Sequence, residues 1–77
     1  MKLLGGKIMV NKNLLKSKLA LNGYTQKALA EKIEMPVPTL TQKINNLLPF
    51  KTTEIGKIQS ELKLSNDEVV EIFIKGV

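Results

Sequence analysis

Neither cysteine nor histidine occurs among the 77 residues of this chain, and that double absence limits how it can hold a fold. No disulfide can staple it and no thiolate or imidazole can build a metal site. No Ser-His or Cys-His nucleophile can be assembled either. A domain this short then rests on helix packing, on self-association, or on both. Apolar residues make up 43% and charged residues 25%, the balance of a globular domain rather than a disordered tail. No apolar run approaches the roughly 20 residues that a bilayer crossing needs. The expectation is one domain with no catalytic residue, no metal, no cofactor, no small-molecule substrate and no membrane. Asp67, Glu68 and Glu71 group only as a helix start, with no base or Gly-rich cradle beside them, so an enzymatic reading comes last.

Charge adds a direction. Twelve lysines against seven acids give +5, and arginine is absent. Six of the lysines and none of the acids precede Glu31. A basic front half on a nearly neutral back half suits a polyanion such as DNA or an acidic membrane surface; the alternative is a lysine-rich soluble surface. Without arginine, the guanidinium fork that reads guanine is missing.

Residues 1–10, MKLLGGKIMV, are too short and too broken by Gly5 and Gly6 for a signal peptide. They read as a flexible arm ahead of a single domain at 11–77, with Met9 as an alternative start, and a cytoplasmic location is expected. From Asn13, Leu14, Leu15, Leu19 and the stem of Lys18 follow amphipathic helical spacing, until Asn22-Gly23 stops the helix. Thr25 N-caps a second helix over 26–33, with Tyr24 and Leu29 as a hydrophobic staple. Pro36 and Pro38 end that helix by Met35 and are tolerated at the start of a third over 37–45, with Leu40 and Ile44 inward. Asn46 is its left-handed terminator.

Residues 47–50, LLPF, are expected to fold back onto the core. Thr52 or Thr53 caps a fourth helix with Ile55, Ile58 and Leu62 inward. Gly56 within that helix suggests a close neighbour. Ser65-Asn66-Asp67-Glu68 is a capping box with a Leu64–Val69 staple, opening a fifth helix to about Lys75. The β-branched VVEIFI run leaves an edge strand as the alternative.

Five short helices with a tight break between the second and third predict an all-α, compact bundle with a helix-turn-helix. The stretch TQKALAEKIEMPVPTLTQKIN, Thr25 to Asn45, resembles the Cro/CI (XRE-like) family of phage and bacterial repressors. It has Gln26 opening the second helix, then Leu29, the small Ala30, Ile33, and Leu40 across the turn. PFKTTEIGKIQSELKLSNDEVVEIF, Pro49 to Phe73, is similar to small phage-associated members. The resemblance implies a lambda-repressor-like fold. It departs at Glu34, where Gly is usual, at Lys43, where an apolar residue is frequent, and at the prolines opening the third helix.

What the resemblance implies is a sequence-specific DNA-binding regulator, a phage or prophage repressor or Cro-like protein, with its third helix in the major groove. Base contacts fall to Val37, Pro38, Thr41, Gln42 and Asn45. Gln42 is the best reader because its amide both donates and accepts; otherwise it is a solvated polar residue. Backbone contacts fall to Gln26, Lys27, Thr39, Lys43, Asn46 and Lys51, with Lys2, Lys7 and Lys12 as further phosphate neutralisers. The surplus of apolar residues at Val69, Val70, Ile72, Phe73 and Ile74 either completes the core or forms a self-association face. Two-fold pairing would set two recognition helices about 34 Å apart on an inverted-repeat operator. The alternative function is a protein-interaction module, antirepressor or antitoxin-like, that kept the fold without reading DNA.

Overall fold

The computed structural model describes residues 9–75, with backbone only at Lys75. Most of the expected arm, including Lys2 and Lys7, and the stop at Gly76 lie outside the described residues. Five α-helices follow one another: α1 (Lys12–Leu21), α2 (Gln26–Lys32), α3 (Val37–Ile44), α4 (Thr52–Leu62) and α5 (Asn66–Val69). The chain then carries on from α5 as a π-helical segment over Val70–Lys75. No strand occurs among the described residues. The Cα radius of gyration is 11.8 Å, close to the roughly 11.5 Å of a packed domain of this length.

Each helix starts and stops on identifiable chemistry. The Asn11 side chain accepts from the Leu14 amide at 3.1 Å, so α1 begins one residue ahead of the expected Asn13. Thr25 accepts from the Ala28 amide at 3.0 Å. Ser65 and Glu68 close a reciprocal box: Ser65 Oγ accepts from the Glu68 amide at 3.1 Å, and Glu68 Oε1 accepts from the Ser65 amide at 2.8 Å. Helix α4 departs from expectation. Its N-cap is Lys51, not Thr52 or Thr53. A lysine has no acceptor to offer, so only the returning half of the box exists, Glu54 Oε1 accepting from the Lys51 amide at 2.8 Å.

The first four helices end in one way. The left-handed residues Gly23, Glu34, Asn46 and Lys63 have φ values of 72°, 58°, 65° and 54°. Each is followed by an amide that reaches back five residues, for example Met35 to Ala30 O at 2.9 Å and Leu47 to Gln42 O at 2.8 Å. This is the Schellman closure. Glu34 thus takes the left-handed backbone that glycine adopts more readily, and the α2–α3 break keeps its tight turn without one.

The core gathers Leu15 and Leu19 of α1, Leu29 and Ala30 of α2, Leu40 and Ile44 of α3, Ile58 and Leu62 of α4, and Ile72 and Phe73 of the C-terminal segment. Helix α2 packs on α3 and α4, and α1 packs on the π-helical segment. Phe50 meets Phe73 edge to face, ring centroids 5.2 Å apart. Val10 is also buried in the core, so the folded part begins before the boundary drawn after it. The rest of the loop at 47–50 does not fold back as expected: Leu47 is 69% and Leu48 41% exposed. No close neighbour attends Gly56 either, since a Cβ built there meets nothing within 4 Å.

Candidate nucleic-acid interface

Helix α3 divides its side chains by the 3.6-residue repeat. Leu40 and Ile44, one turn apart, are buried. Val37 with Thr41, and Pro38 with Gln42, are also one turn apart, and Asn45 follows one turn after Thr41 on the far side from the core. Pro38, Gln42 and Asn45 are exposed, Val37 is 37% exposed, and Thr41 is half-buried. All five residues expected to meet bases therefore lie along one solvent-facing strip of α3. Thr39 is half-buried beside it.

The strip continues onto α2. Gln26, its first residue, accepts from Thr41 Oγ1 through Oε1 at 3.4 Å, a long contact that nonetheless places the two side chains together. Lys27 follows and is exposed. Lys51 is exposed at the N-cap of α4. Helix α3 opens on Pro36 without a side-chain cap, and Pro38 brings no N–H to its first turn. Its amide-rich strip, rather than its end, is therefore the polar surface it offers.

Two residues expected at the phosphate backbone are committed elsewhere. Lys43 is only 6% exposed, with its Nζ 2.5 Å from Glu54 Oε1 and 6.0 Å above the Phe50 ring. Burial opposes ionisation of Glu54, but the Lys43 ammonium and the Lys51 amide outweigh it and hold the Glu54 carboxyl below its ordinary range. The physical reason was in the spacing: Lys43 lies three residues after Leu40 and next to Ile44, on the inward face.

Asn46 is the second such residue. Its Oδ1 accepts from the Val10 amide at 2.6 Å and its Nδ2 donates to the Val10 carbonyl at 3.1 Å. Asn46 thereby pairs with both main-chain groups of one residue, as a neighbouring strand would. The adjacent Asn11 amide donates to Ile72 O at 2.8 Å. Residues 10 and 11 thus tie the end of α3 to the C-terminal segment. Nothing in local sequence announces a contact between residues 36 positions apart.

Two further links brace the bundle. Lys18 of α1 pairs with Glu68 of α5, and with the Ser65 amide it draws the Glu68 carboxyl below its usual range. Tyr24 donates its hydroxyl to Glu61 Oε1 at 2.7 Å, and that bond raises the phenol. Among the described residues, no group of three or more acids is gathered as a metal site, and no helix is long and apolar enough to cross a membrane. Comparison of the chain with protein-family models, curated proteins and solved structures returns no match.

Proposed function

We propose that this chain is a sequence-specific double-stranded DNA-binding regulator. In this reading α2 and α3 form a helix-turn-helix of the Cro/CI (XRE-like) kind, and the protein acts as a phage or prophage repressor or Cro-like protein. It works by occupying an operator in the cytoplasm, without catalysis or cofactor. Helix α3 enters the major groove, which admits one helix. Val37, Pro38, Thr41, Gln42 and Asn45 face base edges, and Gln26, Lys27, Thr39 and Lys51 face phosphates. Lys43 and Asn46 leave the contact set because their polar atoms are already paired within the protein.

The observation that carries this reading is the solvent-facing amide and hydroxyl strip of α3, with Gln26 of α2 beside it. The exposed Lys27 and Lys51 supply attraction to phosphate without specifying sequence. The reading includes a homodimer on an inverted repeat, with Val70 and Ile74, 37% and 49% exposed, as the apolar face offered for pairing. Selection of bound duplexes from a random pool tests the proposal. A recovered inverted repeat with half-sites one helical turn apart supports it. No enrichment, with affinity negligible even at low salt, removes it.

A second reading, the protein-interaction module, is favoured by one observation: Leu47 and Leu48 stand exposed directly after α3. Co-purification of a protein partner, lost in Leu47→Glu, together with DNA binding indifferent to Gln42→Ala and Thr41→Ala, would favour it over the first.

A further inference from the structure

We infer that the α3 strip selects A·T over G·C base pairs, the Gln42 amide reading adenine while Val37 and Pro38 meet the thymine methyl group. The inference rests on the proposed DNA-binding reading of the same strip and adds the chemical class of its target. Guanine shows two acceptors, N7 and O6, in the major groove, and its usual reader is a cation with two donors. The chain has no arginine. The one lysine of α3, Lys43, is buried against Glu54 and Phe50. No exposed cation therefore projects from α3. Cytosine shows an N4 donor, whose usual reader is a carboxylate, and α3 contains neither Asp nor Glu.

What α3 does expose matches the remaining pair. An amide supplies one donor and one acceptor in a plane, the complement of adenine N7 and N6–H. Gln42 is exposed and lies one turn beyond Pro38, while Thr41 lies one turn beyond Val37. The strip thus opens on two apolar side chains and continues through a hydroxyl to amides, the group types that meet a thymine methyl and an adenine edge. Lys27 and Lys51 are exposed and oppositely charged to the duplex. They draw in any sequence equally, so the discrimination belongs to α3.

Fluorescence anisotropy with four duplexes of equal length tests this. One is alternating A·T, one alternating G·C, one A·T with 7-deazaadenine in place of adenine, and one A·T with uracil in place of thymine. The two analogues remove the N7 acceptor and the methyl group while leaving phosphate charge unchanged. The wild-type chain is expected to prefer A·T over G·C by about tenfold or more, the scale of one good bidentate contact. Each analogue should weaken binding several-fold. Gln42→Ala should lower affinity for A·T and lose its sensitivity to 7-deazaadenine while keeping its sensitivity to uracil. Equal wild-type affinity for A·T and G·C, or an undiminished 7-deazaadenine effect in Gln42→Ala, overturns the inference and leaves the DNA-binding reading standing. Failure to bind any of the four at low salt overturns both.

Discussion

Gly56 sits in the middle of α4 with open space where a Cβ would be, so nothing there repays the backbone entropy a helical glycine loses. Gly56→Ala is expected to stabilise the fold by about 1 kcal/mol, raising Tm by roughly 4–8 °C in a domain of this size. An unchanged or lower Tm in a thermal melt would show that α4 needs glycine for another reason. Lys43 and Glu54 give a prediction with an asymmetry. Glu54→Gln leaves an almost fully buried ammonium without its counter-charge and is expected to cost about 3 kcal/mol or more. Lys43→Met fills the same space beside Phe50 without a charge and is expected to be nearly neutral. The Glu54 carboxyl is lowered in the fold, so its contribution is complete above the unfolded-state value of 4.5 and is lost as pH falls through the lowered folded value. Denaturant titrations from about pH 6 down to pH 3 should therefore show stability falling on acidification, with a shallower fall in the Lys43→Met/Glu54→Gln double variant.

At the scale of elements, the end of α3 is fixed twice, by a left-handed Asn46 and by the Asn46–Val10 pairing. The two effects separate by substitution. Asn46→Gly keeps an easy left-handed backbone and deletes the pairing, with an expected loss of about 1–2 kcal/mol. Asn46→Ala adds left-handed strain of about 1 kcal/mol more. Equal destabilisation by the two, measured by urea unfolding, would mean that the backbone conformation contributes nothing.

The contrast also shows what a sequence can reveal. The caps at Thr25 and Ser65 and the stops at Gly23 and Asn46 were legible because each is local chemistry within a few residues. So was the outward strip of α3, which follows from the positions of Leu40 and Ile44 alone. The burial of Lys43 was legible in the same spacing, although its partner Glu54 was not. The Asn46–Val10 pairing, the burial of Val10 and the exposure of Leu47 and Leu48 were not legible, because each depends on which distant segment arrives beside it. The β-branched residues 69–74 allowed helix or strand. Packing of Ile72 and Phe73 against α1 and Phe50 accompanies a helical outcome, in widened π turns after Val69.

Over the whole molecule, the exposed Val70 and Ile74 belong to the same segment that closes the core through Ile72 and Phe73. If pairing uses that segment, Ile74→Glu should leave the helical CD signature intact and convert a dimer to a monomer in sedimentation equilibrium. A wild-type chain that is monomeric at every concentration would remove this face from the account. The central claim is that α3 meets a duplex along one strip, and backbone amide chemical-shift mapping on adding a duplex tests it most directly. Titration of a selected or A·T-rich duplex into labelled protein is expected to shift the amides of α3 from Thr39 to Asn45, together with Gln26 and Lys27, and to spare α5. Shifts confined to residues 47–50 or to the C-terminal segment, or none at all at low salt, would contradict it.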